Sequence, residues 1–422
     1  MSLRYQLTCE GVRCFRKPQR VDIAPLTILV GENSSGKTTL LALNRIVWDA
    51  ARGADGVFND PPFFLGAFDQ ILSASRRKPE FQIGLSFSSR HSDRQFKVQS
   101  TWRDKDGQPG LVNWELSSDP VRLTLPPGQA GSFRVRNGDV DRTFAKTKTF
   151  LEQNHGPREL FEHLMAIGQA RGLVPGWFIG ESLDLTFELV LAFRPNSMAP
   201  FRSSPRRTYD FAGLPHGPEG DHVPMVLAQM AASSPAKWKE LRAGLAAFGR
   251  AAGLFDGIQI ERKGNKSSDP FQIKVSMKKG AANLIDVGYG VSQVLPIVVD
   301  VLRTKFDKGE YRRLTQMLLQ QPEVHLHPRA QAALGTFFAQ AVKTAGLHFM
   351  IETHSDHLID RVRLAVRDGI LTPADVSILY FERKANEATI HPLELDADGR
   401  IIDAPDSYRQ FFLDEADRVL GV

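Results

Sequence analysis

The segment from Gly31 to Thr38 reads GENSSGKT, and it constrains the fold of this chain more than any other. It directly follows the short apolar run 26–30 and directly precedes a helical pattern, which is the setting in which a glycine-rich loop binds phosphate. The apolar, partly β-branched run predicts a strand buried on both faces of a parallel sheet. Glycines allow a tight turn with inward N–H groups, and the following helix adds its positive N-terminal end. The segment therefore predicts a site for a nucleoside triphosphate.

The side chains of this loop have separate predicted roles. Lys37 can reach the β- and γ-phosphates, and the hydroxyl of Thr38 can bind Mg²⁺. A chance turn is the alternative, and the strand before the loop and the helix after it make this alternative weak. We expect phosphate contacts from eight residues: Gly31, Asn33, Ser34, Ser35, Gly36, Lys37, Thr38 and Thr39.

Composition is ordinary for a soluble globular protein, with 42% apolar and 24% charged residues. No stretch approaches the roughly 18 apolar residues that a membrane span needs. The N-terminal sequence lacks the apolar core of a signal peptide, so we expect a cytoplasmic protein without membrane contact. The net charge of +5 is compatible with nucleic-acid binding, but it is spread thinly and leaves the partner open.

The order of predicted elements indicates an α/β fold with a mainly parallel sheet and flanking helices. Its two halves, residues 1–99 with the phosphate loop and residues 270–422, are separated by a predicted α+β insertion at 100–269. Predicted strands lie at 5–10, 19–30, 81–87, 96–102, 111–117, 121–125, 257–262, 271–277, 314–319, 347–351 and 376–381. Predicted helices lie at 38–51, 143–153, 157–170, 222–233, 236–252, 290–305, 329–345 and 356–368.

Four further segments occur in an order typical of one group of phosphate-loop ATPases. They are DVGYGVSQVLP (286–296), MLLQQPEVHLHP (317–328), LHFMIETHSD (347–356) and LELDADG (393–399). With the phosphate loop, they resemble the ABC-like AAA ATPases related to the overcoming-lysogenization-defect nucleases and to the SMC ATPases. Within that group, the chain looks most like the stand-alone ATPases of prokaryotic anti-phage defence. The resemblance covers residues 1–90 and 270–400 and extends to two short middle segments, 199–209 and 253–256.

The resemblance implies an ABC-type ATPase domain that binds ATP and Mg²⁺ at a site shared by two subunits. Gly290, Ser292 and Gln293 match the signature loop, which in such proteins caps the γ-phosphate bound by the opposite subunit. Small residues and a helix N-terminus suit anion binding. His354 matches the switch histidine that contacts the γ-phosphate and the attacking water, and Gln70 matches a glutamine near the magnesium. Without the resemblance, Ser292 could equally be a helix cap and His354 a residue that ends a strand.

The chain departs from the family's pattern after the predicted strand at 314–319. In the family, an acid at position 320 holds magnesium and a neighbouring acid polarises water, whereas this chain has Gln320 and Gln321. An amide keeps the shape of glutamate but lacks its charge and cannot act as a base. We hypothesise a substitution made to hold ATP without hydrolysis; a naturally degenerate ATPase that only senses nucleotide is the alternative. Glu323, expected to orient the loop, and Glu352 are the remaining nearby acids, and either could be recruited.

The resulting candidate catalytic residues are Gln320, Gln321, Glu323 and His354, and the candidate metal ligands are Thr38, Gln70 and Gln320. A histidine metal cluster formed by His325, His327, His354 and His357 is disfavoured, because no thiolate or carboxylate set accompanies these histidines and His-x-His-Pro belongs to the family's loop.

The resemblance favours an ATP-dependent dimerising switch, with higher oligomers left open, that controls a separately encoded nuclease or toxin. About 70 residues follow His354, and we expect these to be too few for a nuclease domain. The alternative is an SMC-like DNA-repair ATPase, which would need coiled-coil arms, whereas the predicted insertion shows strands and loops rich in proline and glycine. A transporter subunit is disfavoured because the Ser-Gln signature differs from the transporter pattern.

Overall fold

Two large sheets and a set of helices form the part of the chain that the computed structural model describes. This part comprises residues 3–51, 56–74, 78–88, 94–125, 132–137, 140–145, 193–210, 217–266, 268–278, 280–306 and 315–408. Its strands are β1 (Tyr5–Glu10), β2 (Gln19–Ile23), β3 (Leu26–Gly31), β4 (Asn59–Asp60), β5 (Phe63–Phe64), β6 (Glu80–Ser88), β7 (Gln95–Lys105), β8 (Gln108–Ser118), β9 (Val121–Leu125), β10 (Ser132–Asn137), β11 (Val140–Ala145), β12 (Arg194–Met198), β13 (Gly257–Arg262), β14 (Phe271–Met277), β15 (Gly280–Asn283), β16 (Thr315–Gln320), β17 (His348–Glu352), β18 (Val376–Lys384), β19 (Glu387–Leu395) and β20 (Ile401–Ile402). Its α-helices are α1 (Lys37–Ala51), α2 (Phe68–Ile71), α3 (Val223–Ser233), α4 (Pro235–Ala252), α5 (Tyr289–Arg303), α6 (Pro328–Ala345) and α7 (Asp356–Arg367).

The phosphate-loop strand β3 lies inside a mainly parallel sheet of order β12-β16-β17-β3-β18-β19-β20. The first five strands in this order run parallel, and β19 and β20 are antiparallel additions. Every residue of β3 is buried, as its apolar composition predicts. The α/β fold class is therefore confirmed, because β3 from the N-terminal part lies between β17 and β18 from the C-terminal part in a mainly parallel sheet with helices packed on it.

The two faces of β3 contribute to different cores. Leu29 packs into a core that contains α1 and much of a second, antiparallel sheet. Leu26, Ile28 and Val30 pack into another core that contains α3 to α7. Helix α1 therefore starts at the phosphate loop and packs between the two sheets. This packing holds the helix with its N-terminus at the loop.

The antiparallel sheet has the order β11-β10-β9-β8-β7-β6-β1-β2. Strand β7 spans the predicted domain boundary at residue 99, and β12, from within the predicted insertion, pairs with β16 of the parallel sheet. Both sheets and both cores therefore include parts of residues 100–269. The bounds of the insertion and its role in partner binding stay predictions.

Several predicted elements differ from the structure. The segment predicted as one strand at 19–30 forms two strands, β2 and β3, separated at Ala24 and Pro25. Proline has no N–H for a continuous ladder, which explains the break. The helix predicted from 143 is wrong at residues 143–145, which belong to β11; the rest of that helix and the one predicted at 157–170 lie outside the described residues. Within the described residues, no helix is both long and apolar enough to cross a membrane.

Candidate nucleotide-binding site

The phosphate loop occupies the carboxyl end of β3 and runs directly into α1. Gly31 and Gly36 have φ angles of 140° and 103°, which favour glycine. A Cβ atom on Gly36 would lie 2.7 Å from Sγ of Cys14 and 2.8 Å from Cζ of Phe15. The turn therefore needs glycine at position 36 for its dihedral angle and because two side chains approach it closely.

The ammonium group of Lys37 is held at this loop by two carbonyl oxygens. Its Nζ donates hydrogen bonds to Gly31 O at 2.9 Å and to Glu32 O at 2.5 Å. Burial lowers the pKa of Lys37, while the acids Glu352 and Glu32 oppose this shift. A cation that is partly stripped of water and positioned beside a helix N-terminus is suited to bind phosphate oxygens.

A cavity of about 530 Å³ opens at the loop, a size typical of ligand sites. Four cationic side chains and one acidic side chain, that of Glu352, are among its lining residues. The cations are Arg13, Arg16, Lys37 and Arg383. This balance favours a polyanionic ligand, as the sequence of the loop predicts.

Sequence reasoning missed the three arginines of this cavity. Arg383 donates a hydrogen bond to Ser34 O at 2.9 Å, and Arg13 donates to Leu65 O at 2.9 Å. Arg383 lies 349 residues from Ser34 and reaches the loop because β18 pairs in parallel with β3. No local sequence pattern marks such a residue, because its position at the loop depends on the order of the strands in the sheet.

The hydroxyl of Thr38 donates a hydrogen bond to Oε2 of Glu352 at 2.7 Å. Glu352 is the last residue of β17, which lies next to β3. Burial raises the pKa of Glu352, and the bond from Thr38 and the charge of Lys37 oppose this. A carboxylate and a hydroxyl beside a phosphate-binding loop form an oxygen donor set that suits Mg²⁺, which is usually held by one or two carboxylates and by phosphates.

Gln70, the predicted glutamine near the metal, lines the same cavity. Its Oε1 accepts a hydrogen bond from the backbone N–H of Ala67 at 3.0 Å, at the start of α2. The structure therefore places Gln70 near the loop, with its side-chain oxygen already used within its own turn.

Gln320 and Gln321 lie at the end of β16, one strand further from β3 than Glu352 is. Gln320 is buried and is the register partner of Glu352. Gln321 has a positive φ of 43°, and its N–H donates to Glu352 O at 2.8 Å. Among the described residues, the lining of the cavity includes neither glutamine.

Glu323 is buried, and its Oε1 accepts a hydrogen bond from the backbone N–H of His354 at 2.7 Å. Glu323 thus holds the backbone of the loop after β17, and its expected role in orienting the loop of its own segment stays a prediction. His354 is partly exposed to solvent. Burial of the rest of its side chain and the nearby charge of Lys37 lower the pKa of its imidazole. His354 is therefore favoured in the neutral form, whose ring nitrogen can accept a proton.

Gly290 and Ser292 lie in the first turn of α5 and are not among the described residues that line the cavity. The hydroxyl of Ser292 donates to Tyr289 O at 2.8 Å. A Cβ on Gly290 would lie 2.7 Å from His325 O, and the ring of Tyr289 packs edge-on against His325 with centroids 4.8 Å apart. The predicted signature loop thus rests on the segment that follows β16.

Gln293 has a different role from the predicted nucleotide contact, and we correct that prediction. Its side chain is fully buried; Oε1 accepts from Arg202 N at 3.1 Å and Nε2 donates to Arg202 O at 3.3 Å. Both ends of the amide are therefore used to hold the segment around Arg202 against α5.

Replacing Gln293 with leucine is expected to lower the free energy of unfolding by about 2–3 kcal/mol, because two buried backbone groups lose their partners. Denaturant unfolding without nucleotide measures this effect. Gln340→Leu, at an exposed position of α6, is a control of the same chemistry, and the stability of this variant should stay close to that of the parent. A Gln293 variant as stable as the parent would contradict the tethering role.

Two histidines near this site, His325 and His327, contact neighbouring protein groups. His325 packs on Tyr289, and His327 caps α6 by accepting a hydrogen bond from the N–H of Arg329. Within the described part of the chain, no group of three or more His, Cys, Asp or Glu side chains is arranged to hold a metal ion.

Two family models match parts of the chain. An AAA ATPase domain model matches residues 231–359, which contain α5, β16, β17 and His354. A model for a protein of unknown function (DUF3696) matches residues 371–421. No curated protein matches the sequence. The AAA ATPase domain model thus matches less than half of the chain, and the parallel sheet joins the matched region to the phosphate loop, which lies outside it.

Solved structures of SMC head domains are similar to this chain over most of their lengths. An SMC head bound to the C-terminal winged-helix domain of ScpA is 10% identical, with 93% of this chain and 97% of that chain covered and a TM-score of 0.48. The SMC head domain from Thermotoga maritima is 10% identical, with 92% and 98% covered and a TM-score of 0.43. The SMC head from Pyrococcus furiosus with an extended coiled coil, bound to the C-terminal domain of ScpA, is 11% identical, with 99% and 100% covered and a TM-score of 0.46. At this level of similarity, none of them bears on the function of this chain.

Proposed function

We propose that this chain is an ATP-dependent dimerising switch, in which the cavity at the phosphate loop binds ATP with Mg²⁺. The observation that carries the proposal is the combination of a glycine-dependent loop, a held Lys37 and an arginine-rich lining in one cavity. Lys37 and the loop N–H groups bind the β- and γ-phosphates. The remaining predicted phosphate contacts, from Asn33 to Thr39, belong to the same proposal.

Magnesium, when bound, neutralises charge on the phosphates. On the protein side, Thr38 and the nearby acid Glu352 offer oxygen donors, and Gln70 lies within the same cavity lining. His354, held through its backbone by Glu323, is proposed to contact the γ-phosphate and the attacking water. Gln320 and Gln321 supply no base, so we propose that ATP is bound well and hydrolysed slowly.

We further propose that Gly290 and Ser292 complete the site of a second subunit. Two features support a shared site: the signature loop lies away from the cavity lining of its own chain, and large apolar side chains beside it are exposed. These are Ile285, with 42% of its surface exposed, and Tyr289, with 46% exposed. Binding of ATP between two such faces would close the dimer, and its loss would open the dimer.

The resemblance to stand-alone ATPases of anti-phage defence supports control of a separately encoded effector, a nuclease or toxin. We propose residues 100–269 as the region that binds this partner. An SMC-like ATPase that binds DNA is the second candidate, favoured by the arginines that line the cavity and by the net charge of +5.

Size-exclusion chromatography without nucleotide, with Mg-ATP, and with Mg-ATP and DNA tests these candidates. The switch predicts a monomer that becomes a dimer with Mg-ATP and does not shift further with DNA. A DNA-dependent shift would favour the second candidate, and an unchanged monomer with Mg-ATP would contradict the dimerising switch.

A further inference from the structure

The carboxylate of Glu352 lies in a place where an uncompensated negative charge is unfavourable. It is 6% exposed and lines a cavity that is otherwise cationic. Among the described residues, no lysine, arginine or histidine makes a salt bridge with it within 4.0 Å. Buried carboxylates are normally paired or bound to a metal. A triphosphate in the same cavity would repel this carboxylate unless a cation lay between them.

The hydrogen bond from Thr38 indicates how such a cation would be held. The hydroxyl donates its single proton to Oε2 of Glu352 at 2.7 Å, so its lone pairs remain available to a metal. Within the described part of the chain, Thr38 is the only side chain that hydrogen-bonds this carboxylate. The pair therefore combines a hydroxyl that donates to the carboxylate with a carboxylate whose other oxygen has no side-chain partner among the described residues.

The other candidates at this edge of the sheet are less suitable. Gln320 carries no charge and lies one strand further from the phosphate loop, because the order is β16-β17-β3. Glu323 uses Oε1 to accept from the N–H of His354 and is absent from the described lining of the cavity. Among the described residues, Glu352 is the one acid that both lines the cavity and contacts the phosphate loop.

We propose that Glu352 is the metal-side carboxylate of this chain and that, with Thr38, it holds a divalent cation directly or through water. This inference rests on the proposed binding of ATP at the loop. It assigns the metal-holding role, expected at position 320, to the neighbouring strand. Metal-dependent nucleotide binding therefore does not require an acid at position 320.

Binding of Mn²⁺, followed by electron paramagnetic resonance in the presence of a non-hydrolysable ATP analogue, tests this role. Glu352→Gln is expected to weaken Mn²⁺ binding to the protein–nucleotide complex about tenfold or more. Glu352→Asp, which keeps the charge on a shorter side chain, is expected to lose less. The matched control is Glu382→Gln on β18, the strand on the other side of β3. The carboxylate of Glu382 contacts His391 at 3.1 Å. The Glu382→Gln variant should bind Mn²⁺ like the parent.

Nucleotide binding in EDTA serves as the second measurement, because it does not depend on the metal. The inference expects Glu352→Gln to bind the analogue in EDTA at least as tightly as the parent does, since a repelling charge is removed. If Glu352→Gln binds Mn²⁺ within twofold of the parent, the metal role of Glu352 is wrong while ATP binding stands. If the parent itself binds no nucleotide, with or without metal, the proposed function fails too. Should Glu352→Gln lose nucleotide in EDTA, Glu352→Asp decides: a Mn²⁺ affinity no better than that of Glu352→Gln overturns the metal role.

Discussion

Replacing Lys37 with alanine is expected to reduce the affinity for Mg-ATP about 100-fold or more. Removing one partner from a buried, charged contact costs about 2–5 kcal/mol, and each 1.4 kcal/mol is a tenfold change in affinity. Lys37 is buried and already held by Gly31 and Glu32, so other lysines cannot easily replace it. Isothermal titration calorimetry of the two proteins with Mg-ATP measures the difference.

Lys384→Ala is the matched control for this experiment. Lys384 lies at the end of β18, next to Arg383 of the cavity lining, and its side chain is 81% exposed. Its removal lowers the local positive charge but breaks no contact with the loop, so the affinity should change by less than about threefold. Equal losses in the two variants would mean that general charge, and not the loop, governs binding.

Replacing Gln320 with glutamate is expected to raise the rate of ATP hydrolysis about 100-fold or more, the usual contribution of a general base. An amide at this position cannot accept a proton from water, whereas a carboxylate can. Steady-state phosphate release at saturating Mg-ATP compares the two proteins. The double variant Lys37→Ala with Gln320→Glu should be inactive, which would show that the new activity arises at this site.

Because of the register of the parallel sheet, the rate of ATP hydrolysis by the Gln320→Glu variant should depend on pH. Position 320 pairs with Glu352, so Gln320→Glu places two carboxylates on neighbouring strands, and like charges raise the pKa of one of them. The rate should therefore rise with pH above the ordinary range of a glutamate. If neither the parent nor the Gln320→Glu variant hydrolyses ATP, the hypothesis that Gln320 traps ATP is wrong.

The sequence predicted the parts of the site that depend on local order. The loop, its glycines and the buried strand before it are contiguous, so their pattern is visible without a structure. The alternation of helices and strands after residue 280 was likewise visible, and α5, α6, α7 and the strands between them lie close to their predicted bounds.

The contacts that strand order creates could not be predicted in this way. Arg383 reaches Ser34 only because β18 pairs with β3, and Thr38 meets Glu352 only because β17 lies on the other side. The role of Gln293 was mistaken because a signature motif does not show which face of its helix is buried. The pairing of β12, from within the predicted insertion, with β16 was likewise not visible in the sequence.

Mixing two variants tests most directly whether one ATP site is built from two subunits. Lys37→Ala removes the phosphate loop's cation. Tyr289→Glu places a negative charge on the exposed start of α5, and in the proposed shared site this charge would repel the γ-phosphate bound by the second subunit. Each variant alone should stay monomeric with Mg-ATP in sedimentation velocity. Their mixture should form dimers, because the loop of one chain and the signature loop of the other are both intact. A mixture that stays monomeric while the parent dimerises, or a single variant that dimerises like the parent, would contradict the shared site.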